Sequence, residues 1–587
     1  MAVTSIGAMR RRTAVGATLA VLAAAVMAWQ QPMRASWWSF ADPDGAYVGS
    51  SLNILLGNHT NYLDHPGLPT QDALALGFGA EYLVRSATGG AENRQAFADA
   101  KMLDLDSARR LYRGWAIALF LGATLLVYLV LTRLLGHWTW GLAGSLAFIS
   151  APGLGAVSFL LRPDAAMSAL CLAIGYFVVT GFSKASTLRY AAASALLGLA
   201  MTVKLTAIGM AVPLVVAAAW RPPERESLGR TVAPIGAWAR RSALWLLPTV
   251  VVWLGLCWLF NRERLPIVQT DDQRAILVTG ATFLVGYTLF AYVAERFRIP
   301  WADRIFRLAY AWILLAFVAG MFLPASLVLD DGVQMLVAIK ESLTGQRVNA
   351  DIEPFESFTL DSLRTWPLNA MVVVVVLGAA AGALGVVRRE YWPSLLALGS
   401  LVLGVMAAAR YSYDYYYAPA FTVAIPGALW LFRRSGRSAA PVYVLAATVA
   451  LYGFGLLRVQ TWQPPQDAAI NTSAQELADE LLSPGEVILV GDYYFPIEDV
   501  RFGSLVDTFV DHVPQYPFRF LTQLRIVAER QLVPKYVVGG DELPDAGQVT
   551  RIELEGRPFV VEGTGRTWGP AQQFHLARIV EAPPLES

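Results

Sequence analysis

Apolar residues fall in long, almost unbroken runs through most of the chain, and polar residues gather in the gaps between them. A hydrocarbon core about 30 Å thick is crossed by about 20 apolar residues of helix. Runs of that kind lie near residues 13–31, 111–134, 138–158, 165–182, 187–203, 205–220, 242–260, 275–293, 308–328, 369–387, 392–409, 415–432 and 440–457. The pattern predicts a mainly α, polytopic membrane protein of about thirteen transmembrane helices. The 187–203 and 205–220 runs are short, and Lys204 divides them.

The gaps alternate in charge. Every second one carries Arg or Lys: Arg10–Arg12, Arg133, Lys184 and Arg189, a cluster from Arg221 to Arg241, another from Arg296 to Arg307, Arg388 and Arg389, and Arg433 to Arg437. The positive-inside rule places these segments and the N-terminus in the cytoplasm. The first long gap (32–110), the gaps near 261–274 and 329–367 and the C-terminal tail then face outward, as expected of a multi-pass protein of a cytoplasmic (inner) membrane. Arg10–Arg12 ahead of an apolar run also has the form of a signal peptide. That run ends in Trp29-Gln30-Gln31 rather than a small-x-small cleavage site, so a retained anchor is expected.

Within the first outer gap, apolar residues recur at helical spacing over Tyr47–Leu56 and again near Asp72–Val84, and Arg94–Arg110 is partly amphipathic. These segments predict helices lying along the membrane surface. After the last span the pattern changes. Gln463-Pro464-Pro465-Gln466 has the composition of a linker, Ser473–Leu482 that of a short helix, and Glu486–Val490, Lys535–Val538 and His575–Val580 those of short strands. Thr550–Val561 predicts a hairpin around Gly556. The expected organisation is a transmembrane domain over 1–458, with loop 32–110 in it, and a small C-terminal α/β domain over 459–587.

Composition agrees. Hydrophobic residues make up 55% of the 587 and charged residues 16%, against roughly 25% charged in soluble chains. A net charge of +1 gives no basic footprint for nucleic acid. Cys171 and Cys257 both sit in apolar runs, which implies core packing and neither a disulfide framework nor a cysteine metal site.

Candidate chemistry collects at the predicted outer ends. Asp42-Pro43-Asp44 opens the first outer loop; the proline holds two carboxylates in extended or turn geometry, where they can share a divalent cation (Mg or Mn) or let one act as a base. The alternative is a solvated turn with Asp44 capping a helix. Arg162 and Asp164 lie beside Pro163 at another outer end, either as an ion pair or as an anion contact. Lys204 sits between two apolar runs, where a cation is costly unless paired or snorkelling. Arg410-Tyr411-Ser412-Tyr413-Asp414-Tyr415-Tyr416-Tyr417 precedes the twelfth run; an aromatic belt accounts for several of the tyrosines but for neither Arg410 nor Asp414. Cations, tyrosine hydroxyls and carboxylates on one face are the groups that hold an anionic lipid head beside a base.

This layout resembles the GT-C superfamily of integral-membrane glycosyltransferases. Asp64-His65-Pro66-Gly67-Leu68-Pro69 is similar to the His-Pro-Pro-Leu segment of the protein O-mannosyltransferase-like branch, which includes the aminoarabinose transferases of lipid A. Arg410 to Pro419 is similar to that group's outer Arg/His-Tyr-x-x-Pro segment. The resemblance implies transfer of a sugar from a polyprenyl-phosphate donor to a glycan, lipid or protein acceptor. It implies Asp42 as the base, with Asp44 beside it. Arg162, Lys204, Arg410, Tyr411 and Tyr415 would surround the phosphate with Asp164, and Asp64 and His65 would shape the pocket wall. Many members carry Asp-Glu where this chain has Asp-Pro-Asp, which leaves the choice of base and a metal at the pair open. A transporter or flippase of lipid-linked saccharides would instead carry ionisable groups deep within its spans. A polysaccharide polymerase or ligase would place its key residues in the late 329–367 loop, which holds Asp330, Asp331, Lys340, Glu341, Arg347 and Arg364.

Overall fold

The computed structural model describes residues 2–30, 44–57, 68–90, 93–103, 105–151, 154, 163–220, 370–408, 414–434, 440–461, 465–491, 519–522, 524–529, 531–540, 542–568 and 574–584. The chain divides into two compact units. One comprises Met1–Gln30, Leu63–Ala73 and Arg113–Val459; the other comprises Gln31–Tyr62, Leu74–Tyr112 and Gln460–Ser587. The stretches Gln31–Tyr62 and Leu74–Tyr112 thus fall in the same unit as Gln460–Ser587.

The first unit is a helical bundle. Its described helices are α1 (Ala2–Gln30), the body of α5 (Leu105–Leu135), α6 (Trp138–Ile149), α7 (Asp164–Lys184), α8 (Thr187–Val203), α9 (Ala211–Trp220), α10 (Ala370–Val387), α11 (Tyr391–Ala408), α12 (Ala418–Arg434) and α13 (Ala440–Thr461). Among the described residues, Arg11–Trp29, Arg110–Leu135 and Asp164–Lys184 are long and apolar enough to cross a membrane. The other apolar helices are shorter, and the expected spans at 242–260, 275–293 and 308–328 lie outside the described residues. The expected span 138–158 is shorter than its apolar run: α6 stops at Ile149, capped at Ser150, just before Pro152 and Gly153.

Close approach through small residues holds the bundle together, the usual device where lipid tails are as apolar as the side chains. Helices α10, α11 and α12 pack on one another, and α12 also packs on α7. A Cβ on Gly378 of α10 would stand 2.9 Å from the Cβ of Ala424 on α12, and one on Gly427 would stand 3.3 Å from the Cα of Gly378. The Ser400 hydroxyl donates to the Ala420 carbonyl across α11 and α12 at 2.7 Å. Helix α1 packs on α6 and buries Ala20, Ala24 and Met27. Its backbone is tied to α5 by the Tyr128 hydroxyl donating to Thr13 O (2.9 Å), and to α13 by that of Tyr452 donating to Ala23 O (2.7 Å). Cys171 is fully buried, a core residue of α7; Cys257 lies outside the described residues.

In the second unit, α2 (Asp44–Leu56), most of α3 (Leu68–Ala87) and α4 (Arg94–Leu103) confirm helices in the first outer loop. Helix α4 buries Lys101, whose Nζ lies 2.6 Å from Glu81 on α3, with Phe97 beneath the cation at 5.5 Å. The C-terminal domain sets α14 (Pro465–Leu481) against a six-stranded mixed sheet. Its strands are β1 (Glu486–Val490), β2 (Phe520–Leu521), β3 (Val533–Gly539), β4 (Val549–Leu554), β5 (Arg557–Trp568) and β6 (Phe574–Glu581), in the order β2-β1-β3-β6-β5-β4. A short helix, α15 (Leu524–Glu529), precedes β3.

Strand β1 is parallel to β2 and β3, and the remaining pairs are antiparallel. Ala474 and Ala478 of α14 meet Ile488, Val490, Val538 and Leu576 in the core between helix and sheet. The expected hairpin closes through Glu555 and Gly556, both at positive φ (46° and 72°), a two-residue turn that matches strand twist. Pro465, expected in a linker, instead opens α14, where the missing N–H of proline costs nothing.

Candidate active site

Three helix ends in the bundle unit meet at one place. Helix α7 begins at Asp164, directly after Pro163, so its carboxylate sits in the first turn, where the helix dipole favours negative charge. The hydroxyl of Ser168, one turn on, donates to the Asp164 carbonyl at 2.6 Å. The apolar stretch 187–220 does not run straight. Helix α8 ends at Val203, Lys204 is extended (φ −161°, ψ 128°), and a 3-10 turn, Leu205–Met210, leads into α9. The two limbs fold back on each other: the Tyr190 hydroxyl near the start of α8 donates to the Ala217 carbonyl near the end of α9, at 3.2 Å. Lys204 is therefore the tip of a hairpin, its N–H bonded to Ala200 O and its carbonyl accepting from Ala207 N. A second 3-10 turn, Asp414–Tyr417, leads into α12.

At this junction Lys204 Nζ lies 2.6 Å from Asp164 Oδ1 and 3.8 Å from the centre of the Tyr416 ring. The Asp164 side chain is 2% exposed and that of Lys204 13%. A carboxylate and a quadrupolar ring thus hold the ammonium group in a largely water-excluded place. Thr206 Oγ1, two residues past the lysine, lies 3.5 Å from Met167 Sδ on α7, so the hairpin tip and the α7 start are in register. Arg433 and Arg434 lie in the last turn of α12, at its other end: Arg433 donates to Leu135 O at 2.9 Å, and Arg434 pairs with Glu390.

Of the residues singled out by sequence, the structure brings together Asp164 and Lys204. Asp44 is the first residue of α2, and Tyr415 lies in the 3-10 turn beside Tyr416. Asp42, Asp64, His65, Arg162, Arg410 and Tyr411 lie outside the described residues. Among the described residues there is no group of three or more His, Cys, Asp or Glu that could hold a metal ion. Sequence reasoning did not select Tyr416: three tyrosines in a row are indistinguishable until the turn that presents them is known. It also passed over Asp72 as a chemical residue. This carboxyl is 4% exposed, its Oδ1 has no hydrogen-bond partner, and burial pushes its pKa up to about 7.

Residues 110–254, which include Asp164 and Lys204, match the family model described as "Dolichyl-phosphate-mannose-protein mannosyltransferase". That stretch, about a quarter of the chain, is what is similar to the family. Solved structures similar to this chain include the Archaeoglobus fulgidus oligosaccharyltransferase in complex with Zn and sulfate. That structure is 14% identical, with a TM-score of 0.43, over 89% of this chain and 68% of that one. Another is ArnT from Cupriavidus metallidurans bound to undecaprenyl phosphate, at 14% identity and a TM-score of 0.35, covering 97% and 98% of the two chains. The apo form of the same ArnT is 16% identical, with a TM-score of 0.32, over 96% and 98%. No curated protein matches the chain.

Proposed function

We propose that this multi-pass protein transfers a sugar from a polyprenyl-phosphate donor to an acceptor hydroxyl on the outer (periplasmic) face of the cytoplasmic membrane. The observation that carries the reading is the buried cation of Lys204, held by Asp164 and Tyr416 at the outward-assigned end of α7 and α12. A lipid phosphate is the anion that such a site meets at a membrane boundary. Both the family description, which names a dolichyl-phosphate sugar, and the undecaprenyl phosphate bound to ArnT agree with it.

The acceptor oxygen attacks the anomeric carbon from the face opposite the phosphate, and its proton passes to Asp42. The bond between the anomeric carbon and the phosphate oxygen breaks, and polyprenyl phosphate leaves with the electron pair, so the configuration inverts. Lys204, with Arg162 and Arg410 from the adjoining segments, neutralises the charge that grows on the leaving oxygen. Asp164 keeps the ammonium group in place before the donor arrives. Asp44 supports Asp42, the pair being where a divalent cation would bind, and Asp64, His65, Tyr411 and Tyr415 line the pocket.

Reconstitution in vesicles with polyprenyl-phosphate sugars tests the reading. Wild-type protein should bind undecaprenyl phosphate and turn over a sugar-bearing donor, and Lys204→Met should lose both. Asp42→Asn should still bind undecaprenyl phosphate while its turnover collapses; full activity in that variant would remove Asp42 as the base.

A further inference from the structure

Strand order gives the C-terminal domain a switch point. Strand β1 is parallel to both of its neighbours, β2 and β3. The next described strand after β1 is β2, on one side of it; the next after β3 is β4, at the far edge of the sheet on the other side. Connections that leave two adjacent parallel strands in opposite directions part outside their carboxyl ends, and open α/β sheets bind ligands there. In this domain the place is marked by Gly491, directly after β1, and by Gly539 and Gly540, at the end of β3 and just past it.

Two side chains from different parts of the domain flank that point. The Leu543 N–H donates to the Gly540 carbonyl at 3.3 Å, closing a turn that the buried Leu543 anchors. The turn carries Glu542, whose Oε1 lies 3.5 Å from the place a Cβ on Gly539 would take and 3.9 Å from that on Gly491. From the far edge of the sheet the β4–β5 hairpin returns to the same point. Leu554 Cδ2 is also 3.9 Å from the Gly491 position, and Glu555 Oε2 accepts from Leu524 N at the start of α15, at 2.9 Å. Gly491 and Gly540 are not at positive φ. Among the described residues no atom comes closer than 3.9 Å to a Cβ on Gly491, or within 4 Å of one on Gly540. Neither packing nor backbone strain therefore requires glycine at either position, and both leave the backbone open to a bound group. Glu542 is exposed and, among the described residues, makes no hydrogen bond or ion pair.

We infer that the C-terminal domain is a saccharide-binding module, which takes a neutral sugar ring at this switch point. The Glu542 carboxylate accepts hydrogen bonds from ring hydroxyls, and the Leu554 methyl packs on the C–H face of the ring. The chemistry of the point selects this ligand. Strand ends that receive phosphate offer it cations or free N–H groups at a helix start. Here the first N–H of α15 is taken by Glu555, and the ionised group at the point is an unpaired carboxylate, which repels a phosphate and accepts from a hydroxyl. A carboxylate and an apolar side chain on one small space match a pyranose, whose faces are C–H and whose edge is hydroxyl. The inference stands apart from the transferase reading and is tested without a donor.

The test uses the full-length protein in a detergent that has no sugar head. The probes are the methyl glycosides of glucose, galactose, mannose and N-acetylglucosamine. Saturation-transfer NMR reads binding, and thermal melting reads folding. Wild type should bind at least one glycoside. Glu542→Ala should weaken that binding roughly 10- to 100-fold, the loss of a hydrogen bond to a charged acceptor, and should melt as wild type does because the side chain is exposed. Gly491→Val, which fills the space between Glu542 and Leu554, should weaken it as much. Wild type that binds none of the glycosides overturns the inference, and so does equal binding by wild type and Glu542→Ala. Glu542-dependent binding of ethanolamine without binding of any glycoside overturns it as well, and makes the point an amine site.

Discussion

Lys204 Nζ lies 2.6 Å from Asp164 Oδ1, joining two residues forty positions apart at the meeting of the α7 start and the α8–α9 hairpin tip. Neither charge is stable there alone. A buried ion pair adds little net stability over an apolar pair of the same shape, but removing one partner strands the other. Lys204→Met should therefore destabilise the bundle by about 3–5 kcal/mol, and the double variant Lys204→Met/Asp164→Leu should recover most of that loss. Thermal melting in detergent reads the stability. Undecaprenyl phosphate binding should stay lost in both, which separates the phosphate role from the folding role.

Tyr416 meets the ammonium group with its ring face. Tyr416→Phe keeps a face and should hold undecaprenyl phosphate within a few-fold of wild type. Tyr416→Ala removes it and should weaken the lysine's position by about 0.5–2 kcal/mol, seen as a 2- to 30-fold rise in the dissociation constant. Equal binding by all three proteins would deny the ring any part in the site.

Asp72 gives the outer loop a pH dependence with a definite sign. Its pKa rises from an ordinary 3.8 to about 7 on folding, through desolvation. Between those values the folded chain holds a proton that the unfolded chain has lost, so stability is highest below about pH 4, falls as pH rises, and levels off above about pH 7. A gap of about 3 units is worth about 4 kcal/mol. Asp72→Asn should flatten this slope and melt higher than wild type at pH 8. A wild-type profile flat from pH 4 to 7 would show the carboxyl to be solvated.

Gly378 lets α10 approach α12. A Cβ there would come within 2.9 Å of the Ala424 Cβ and 3.2 Å of its backbone, too close without a shift. Gly378→Ala should cost about 1–3 kcal/mol and Gly378→Leu more. The paired change Gly378→Ala/Ala424→Gly should restore part of the loss. Melting curves of the three variants in the same detergent decide it.

Much of the fold was legible in the linear pattern. Apolar runs marked α7, α8, α10 and α11 nearly to their ends, whereas α1 and α5 begin well before theirs, because a polar first turn gives no apolar signal. Alternating strands around Glu555 and Gly556 marked the C-terminal hairpin, because the turn chemistry is local. Three features were not legible. Helix α6 stops one turn short of its proline, the limb after Lys204 opens with a 3-10 turn, and the short strand β2 (Phe520–Leu521) exists only as a partner of β1.

By itself the sequence determined that this is a multi-span membrane protein with a C-terminal mixed domain. It also led to the expectation that Asp164 and Lys204 lie at one face, since span length and charge alternation are properties of a linear order. Only the tertiary structure decided that Asp164 and Lys204 touch, that the Tyr416 ring faces the ammonium group, and that Asp72 is buried without a partner for one oxygen. Those facts depend on which helix ends converge and how each turn aims its side chains. Contacts between distant segments fix both, and no local pattern encodes them.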